Sequence, residues 1–418
     1  MTASGGSQPA VAQPAVAPED ARPFVVLGVA GGVAAYKAVQ LLRLLTEAGC
    51  RVRVIPTAGA LHFVGAATFA ALSGEPVSTE VWDLAEQVPH VAIGRAADLV
   101  IVAPATADLL SRAAAGRADD LLTATLLTAR CPVVYAPAMH TEMWEHEATR
   151  DNVALLRRRG AVVVPPAVGR LTGVDSGVGR LPEPAALADL AIGLLAGHPQ
   201  HRADLAGRHI VISAGGSREY VDPVRFFGNR SSGRQGYALA RTAVGRGAEV
   251  TLVAANVSLP DPAGVKVIQV VSAAELQAAV TSAAADADVV VMAAAVADFR
   301  PVSRSTQKIK KAAAPPSIEL ELNPDILAEL SRSRRQGQLV IGFAAETEDL
   351  AANAAAKLAA KGCDLIVANL VGDGLGFEVE HNQVLILGAD GARIDVPLAS
   401  KDAVANAVWH EVARRLNG

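Results

Sequence analysis

The stretch Pro23-Phe-Val-Val-Leu-Gly-Val-Ala-Gly-Gly-Val-Ala-Ala-Tyr-Lys37 decides the fold. Residues 24–29 form a short β-branched run bounded by proline and glycine, the pattern of a buried strand. Gly28, Gly31 and Gly32 let the chain turn tightly. Residues 34–48 then carry Val39, Leu42 and Leu45 at helical spacing before Gly49 closes the helix. A strand feeding straight into such a helix is the unit from which parallel sheets are wound.

Outward from this stretch the unit recurs. Strands are expected at 52–56, 99–103, 133–136 and 162–164, each followed by an Ala- and Leu-rich stretch, so the first half reads as a doubly wound α/β domain. Residues 195–207 lose the periodicity, and a new strand at 209–213 runs into Gly215 and Gly216. Strands at 250–253, 265–270, 289–292, 339–343 and 365–368 predict a second Rossmann-like sheet. Asp390-Gly391, between short runs at 384–387 and 393–396, is a hairpin signal, and a final helix is expected from about Lys401.

The 418 residues exceed what one hydrophobic core usually serves. Lys and Arg total 38 against 42 Asp and Glu, a net charge of −4 that gives no global reason to bind nucleic acid or an anionic membrane. Any phosphate site must be local. Cys50, Cys131 and Cys363 stand far apart without CxxC or Cys/His spacing, which argues against disulfides or zinc and fits a reducing cytoplasm. Charged residues interrupt every apolar run before membrane-spanning length. Residues 1–22, rich in Ala, Pro, Gln and Ser and lacking a basic n-region, read as a disordered tail, not a secretory signal.

Doubly wound sheets bind ligands at the carboxyl ends of their strands. Three segments of the first half fall there: Gly28 to Lys37, Ala103-Pro-Ala-Thr106-Ala-Asp108, and Pro137-Ala-Met139-His140-Thr-Glu-Met143-Trp144. Small residues before a helix let backbone amides approach a phosphate. The turn is not GxGxxG, and Thr57 rather than an acidic residue follows the second strand, so a mononucleotide fits better than a dinucleotide. Met139, Met143 and Trp144 suit either helix core or an apolar wall against an aromatic ring. His90 is the candidate base.

These segments resemble the flavin-containing cysteine decarboxylase family, specifically its phosphopantothenoylcysteine decarboxylase domain, over about residues 23–185. The resemblance is carried by GGVAAYK, by His90 with Gly94 and Ala97-Asp98-Leu99, by APATADL, by Ala114 to Leu122, and by PAMHTEMW. It implies FMN held by Gly31, Gly32, Thr57, Ala103, Thr106 and Met139. It also implies His90 as the catalytic base, with His140, Met143, Trp144 and Arg180 on the substrate. Flavin oxidation of the cysteine thiol would make a thioaldehyde, an electron sink that permits loss of CO₂. Two departures stand out. His140 replaces the family's asparagine, and the flap from Arg170 to Arg180 lacks the family's cysteine, so Thr172, Asp175 or a water is expected to supply the final proton.

In the second half, Ser213-Ala-Gly215-Gly216-Ser217-Arg218-Glu219 and Asp222-Pro-Val-Arg225-Phe-Phe-Gly228-Asn229-Arg230-Ser231-Ser232-Gly233 combine hydroxyls, glycine amides and arginines into an anion cradle. Lys308-Ile-Lys310-Lys311 adds three ammoniums without an acidic neighbour. With AAAVADFRP, NPDI, GFAAET and the pair Lys357 and Lys361, these segments closely resemble phosphopantothenate-cysteine ligase of the CTP-using bacterial type over about residues 208–415. The resemblance implies CTP contacts at Asp298, Lys308, Asn323, Pro324, Asp325, Ile326, Phe343, Lys357 and Lys361, and substrate contacts at Ser231 and Ser232. It implies an acyl-cytidylate stabilised by Asn229 and handled by Lys308, with Mg²⁺ bound largely through the nucleotide phosphates.

The expected fold class is therefore α/β with two doubly wound Rossmann-like domains: a flavodoxin-like FMN domain at 23–195, a linker at 196–207, and a CTP-binding ligase domain at 208–418. The expected activity joins phosphopantothenate to cysteine with CTP, then decarboxylates the product to 4'-phosphopantetheine, two steps of coenzyme A biosynthesis. The resemblance also implies homo-oligomers, trimeric through the flavin domain and dimeric through the ligase domain, with no nucleic-acid or membrane partner. Two competing readings are a ligase whose flavin domain is regulatory and a nicotinamide-dependent reductase, for which neither half has the GxGxxG turn and following acidic residue.

Overall fold

The computed structural model describes residues 22–80, 88–171, 175–196, 203–310, 317–371 and 381–417. The first sheet is built from β1 (Phe24–Val29), β2 (Arg51–Pro56), β3 (Leu99–Ala105), β4 (Val133–Pro137) and β5 (Val162–Val163). They are parallel, in the order β2-β1-β3-β4-β5. The intervening helices are α1 (Ala35–Glu47), α2 (Ala66–Ser73), α3 (Pro89–Ala96), α4 (Ala107–Ala115), α5 (Leu121–Thr128), α6 (Thr141–Glu145) and α7 (Glu147–Arg158). β1 is buried along its whole length, as a central strand covered on both faces must be. Below it, α1 buries Leu41, Leu42 and Leu45, and Gly49 ends the helix at φ +89.

β3 runs two residues beyond its expected end. Pro104 has no N–H to give the ladder, and the pairing with β4 skips from Val102 to Ala105 before resuming. A hairpin, β6 (Ala167–Arg170) with β7 (Ser176–Arg180), follows, and then α8 (Pro184–Ala196).

The second half contains β8 (His209–Gly215), the ribbon β9 (Glu219–Tyr220) with β10 (Phe226–Phe227), α9 (Arg234–Gly245), β11 (Glu249–Ala255), β12 (Val265–Val270), α10 (Ala273–Ala284) and β13 (Val289–Met292). Next come the ribbon β14 (Phe299–Pro301) with β15 (Leu320–Leu322), α11 (Ile326–Ser333), β16 (Leu339–Glu346), α12 (Leu350–Lys361) and β17 (Leu365–Leu370). The chain closes with β18 (His381–Gly388), β19 (Arg393–Ser400) and α13 (Lys401–Asn417). The sheet order is β12-β11-β8-β13-β16-β17-β18-β19, parallel through β17 and antiparallel at the β18–β19 edge. The edge ribbon and final helix stand where Asp390-Gly391 and Lys401 placed them.

Each sheet reverses its winding once, between β1 and β3 and between β8 and β13. At such a reversal the loops leave in opposite directions and open a crevice at the strand ends.

α8 sits between the halves, packed on α1 and α9. One apolar core runs from Leu41 and Leu45 through Leu187, Leu190 and Leu194 to Ala240 and Val244. Each buried leucine contributes about 1.5–3 kcal/mol. Residues 203–207 pack against the second half: Leu205 is fully buried, and Arg246 Nε donates to Asp204 at 2.9 Å. No helix among the described residues is long and apolar enough to cross a membrane.

Candidate functional site at each sheet reversal

The β1–β3 reversal opens into a cavity of about 770 Å³. Its floor is backbone. Ala30 donates its N–H to the Pro104 carbonyl at 3.1 Å, and a Cβ at Gly31 would stand 2.7 Å from the Gly59 carbonyl carbon. Only glycine permits that approach. Thr57 is buried and caps the turn at Ala58–His62, while Thr106 caps α4 by accepting the Leu109 N–H at 3.3 Å. Both hydroxyls and the first turns of α1 and α4 lie on the cavity wall. The positive ends of two helices therefore face one space.

The opposite wall is Met139, His140 and Met143 with the β6–β7 hairpin laid against them. Met139 donates its N–H to the Gly179 carbonyl at 3.0 Å, and a side chain at Gly179 would collide with the Met139 carbonyl. Arg180 lines the cavity and pairs with Glu183 at 2.6 Å. Lys37, buried, reaches the same Glu183 at 3.1 Å and the Leu181 carbonyl at 3.4 Å, tying α1 to the strap after the hairpin. At the mouth, Arg112 gathers Asp108, Asp119 and Asp120 at 3.0, 3.0 and 2.8 Å. Burial works against its charge, but the bonds to Asp120 and Asp119 outweigh it and hold its pKa above the usual arginine range.

Gly31, Gly32, Thr57, Thr106, Met139, His140, Met143 and Arg180 thus share one cavity. Ala103 lies beneath the wall, fully buried, and Pro104, itself buried, lines the cavity in its place. Trp144 turns away: it packs against the second apolar cluster of the domain and lines a separate cleft, the helix-core alternative for that residue. His90 stands on α3, off the wall, with Nδ1 buried and unbonded and with its carbonyl accepting the Thr128 hydroxyl at 2.7 Å. None of Cys50, Cys131 and Cys363 lines the cavity. Thr172 lies outside the described residues; Asp175 is exposed on the hairpin turn, where its carbonyl accepts the Leu171 N–H at 2.8 Å.

Lys37 and Arg112 had no assigned role. The Asp108–Arg112 pair has the i,i+4 spacing of a helical ion pair, a usable signal. Nothing local announces that Lys37 meets Glu183.

At the β8–β13 reversal the two loops are laced together. Ala295 donates to the Gly215 carbonyl at 2.8 Å, and a Cβ at Gly216 would stand 2.6 Å from the Asn229 carbonyl oxygen. Ser217, buried, accepts the Ala297 N–H at 3.0 Å. Asn229 Nδ2 donates to the Val296 carbonyl at 2.9 Å, and Asn323 Nδ2 donates to the Ala297 carbonyl at 2.8 Å. The Asn323 N–H reaches the Asp298 carbonyl at 2.9 Å, and Asn323 Oδ1 is buried without a partner. One loop, residues 295–298, therefore seats Asn229, Asp298 and Asn323 together.

Asp325 caps α11 through the Ala328 N–H at 3.1 Å and holds Lys361. Burial opposes the Asp325 charge, but Lys361, the Ala328 N–H and Arg332 keep its carboxyl below the usual range. Lys357 pairs with Glu346 at 2.7 Å. Ser231 accepts the Gly233 N–H at 3.3 Å beside Ser232, just before α9. Phe343 packs half-buried on the main core, the Ile326 side chain is within the core, Pro324 accepts the Ile326 N–H, and Lys308 is exposed. Among the described residues no group of three or more His, Cys, Asp or Glu is arranged to hold a metal ion.

Residues 15–196 match the Flavoprotein family, and residues 205–416 match the family described as DNA/pantothenate metabolism flavoprotein C-terminal domain. Folds, sites and family matches together define a two-domain flavoprotein enzyme. The coenzyme A biosynthesis bifunctional protein CoaBC of Mycobacterium tuberculosis is 59% identical over 405 residues, spanning 94% of this chain and 97% of its own. That of Bacillus subtilis is 44% identical over 395 residues, spanning 93% and 96%. The chain belongs to the family of coenzyme A biosynthesis bifunctional proteins. Solved structures match it by halves. A C-terminal domain of CoaBC is 40% identical with a TM-score of 0.44, covering 51% of this chain and 98% of its own. A mutant PPC decarboxylase complexed with pantothenoylaminoethenethiol is 30% identical with a TM-score of 0.39, covering 41% and 97%.

Proposed function

We propose that the chain joins 4'-phosphopantothenate to cysteine with CTP at the β8–β13 site and decarboxylates the product with FMN at the β1–β3 site. The observation that supports this best is that two glycine-floored strand-end sites occur in one chain matched along nearly its whole length by bifunctional relatives.

At the ligase site the substrate carboxylate attacks the α-phosphorus of CTP, expelling pyrophosphate and forming an acyl-cytidylate. The cysteine amine then attacks the acyl carbonyl and expels CMP. Lys308, Lys357 and Lys361 offset negative charge as it moves toward the leaving phosphates, and Mg²⁺ bound mainly through those phosphates does the same. Lys357 and Lys361 are held in place beforehand by Glu346 and Asp325. Asn229 has its Nδ2 committed to Val296, which leaves Oδ1 for the reacting groups.

The first cavity suits FMN: a glycine floor, two hydroxyls, two helix N-termini and an apolar Met139 wall. FMN bound there would take two electrons from the cysteine thiol and return them after loss of CO₂. Gly31, Gly32 and the α1 N-terminus would hold its phosphate, with Thr57 and Thr106 along its polar edge. His140, Met143 and Arg180 would grip the substrate. His90 would take the thiol proton, the role that the family resemblance implies for it. With no cysteine on the wall, Thr172, Asp175 or a water would supply the last proton.

Purified protein given phosphopantothenate, cysteine, CTP and Mg²⁺ should yield the mass of phosphopantetheine. Accumulation of a species two hydrogens lighter would mean that the reduction fails and would favour the regulatory reading of the flavin domain. Product formed with ATP but not with CTP would remove the nucleotide assignment.

A further inference from the structure

Lys37 is a buried cation with no part in either reaction proposed above. It stands in the first turn of α1, where the positive end of the helix disfavours an ammonium, and that turn holds no acidic residue to offset it. It is 8% exposed and lines the 770 Å³ cavity. A charge so placed needs a partner. Its acidic partner lies 146 residues along the chain, at Glu183 Oε1, 3.1 Å away.

The same Glu183 oxygen accepts Arg180 Nη2 at 2.6 Å. Three side chains, from α1, from the end of β7 and from the residue before α8, therefore meet at one atom. Taken alone, Arg180 and Glu183 are a half-exposed pair, 44% and 61%, of the kind that water and salt loosen. Lys37 supplies what the pair lacks. It is carried by a helix packed in the core, so its ammonium cannot follow a swinging carboxylate, and its second bond, to the Leu181 carbonyl at 3.4 Å, holds the backbone between Arg180 and Glu183 as well. Pro182 and Pro184 restrict the residues before them, Leu181 and Glu183, to extended backbone. Two cations share one carboxylate, which leaves the group with a net positive charge beside the cavity that Arg180 lines.

We infer, resting on the decarboxylase reading above, that Lys37 and Glu183 are positioning residues for substrate binding: Lys37 fixes the Glu183 carboxylate, and Glu183 aims the Arg180 guanidinium at an anionic group of the bound substrate. Phosphopantothenoylcysteine offers two such groups, a phosphate and a carboxylate, and a guanidinium meets either one bidentately. Bidentate contact requires a fixed guanidinium plane, and an arginine oriented beforehand loses less freedom on binding.

The test uses the flavin-loaded full chain and added phosphopantothenoylcysteine. Glu183→Gln keeps the volume and removes the charge; it should raise KM about tenfold with kcat changed less than about twofold, and with the flavin absorbance per protein unchanged. Lys37→Met keeps the apolar stem and should raise KM in the same way by no more than that. Because Lys37 acts through Glu183, the double variant should be no worse than Glu183→Gln alone. Modification of Arg180 by phenylglyoxal, read by peptide mass spectrometry, should quicken in Glu183→Gln. Pantothenoylcysteine separates the two anions: a KM rise that persists with it assigns Arg180 to the carboxylate, one that vanishes assigns it to the phosphate, and either upholds the positioning role. An unchanged KM in Glu183→Gln would overturn the inference, as would single effects that multiply in the double variant, or flavin loss in Lys37→Met, which would make Lys37 a direct flavin contact. A parent chain unable to turn over phosphopantothenoylcysteine would sink the decarboxylase reading and this role with it, whereas an active parent with unaltered variants would sink this role alone.

Discussion

The Asp222 carboxylate accepts the backbone N–H of Ile309 at 3.1 Å, across 87 residues of chain. It also accepts the Val224 and Arg225 N–H groups at 2.7 and 2.8 Å and pairs with the Arg225 guanidinium at 3.3 Å, and it is fully buried. Burial opposes its charge, but the three N–H groups and Arg225 outweigh it and hold its pKa below the usual carboxylate range. One side chain thereby fixes the turn leading to Asn229 against the segment that carries Lys308 and Lys310.

Asp222→Asn keeps the volume and removes the charge, turning one acceptor into a donor. The Lys308 segment should loosen, and ligation should slow on the order of tenfold or more. Decarboxylation of added phosphopantothenoylcysteine should be unchanged. Assaying the two half-reactions separately checks this, and equal slowing of both would point to general unfolding instead.

Gly31→Ala drives a methyl group into the Gly59 backbone, an overpacking that costs about 1–3 kcal/mol. The flavin cradle should distort. The purified variant should carry much less yellow colour per protein than the parent, read as the ratio of absorbance near 450 nm to that at 280 nm, roughly the flavin and protein bands.

The cysteines should resist alkylation at neutral pH. Burial pushes the Cys131 and Cys363 thiols up to about 11 and raises Cys50 as well, so little thiolate exists to react. Iodoacetamide at pH 7.5 should modify none of them quickly in the folded chain, and all three after unfolding in urea. Rapid labelling of Cys131 would contradict its placement.

Asp390, at the β18–β19 turn, meets Arg414 at 2.7 Å and Arg415 at 2.6 Å on α13. The bond to Arg414, with the Ala392 N–H and Arg415, lowers its pKa to about 2, against about 3.9 in an unfolded chain. A carboxylate depressed in the folded state stabilises above its unfolded pKa and loses that contribution as pH falls through the folded value. Urea midpoints of the parent and Asp390→Asn should therefore differ at pH 6 and converge near pH 2.

What could be read directly from the chain was local. The strand, glycine turn and helix of residues 24–49 lie side by side, and so do the Asp390-Gly391 hairpin and α13, so short-range rules reach them. The floor of both sites was legible for the same reason, since Gly31 and Gly216 stand at strand ends. What was not legible is long-range. His90 precedes β3 in sequence, and the packing of α3 on α5, which no local pattern announces, sets it off the wall of this cavity. Trp144 sits one residue beyond Met143, and one step around a helix is enough to turn it from cavity to core. The partners of Lys37 and Asp222 lie 146 and 87 residues away, and no local pattern announces them. The ribbons β9–β10 and β14–β15 have too few residues to show an alternation.

The most direct measurement is a crystal of the full chain soaked with FMN and CTP together. Flavin density should lie over Gly31 and Gly32 between Thr57, Thr106 and Met139, and cytidine density should lie beside Asp298 and Asn323 with its phosphates near Lys308. A crystal in which either strand end is closed, or holds the other nucleotide, would contradict the assignment for that half.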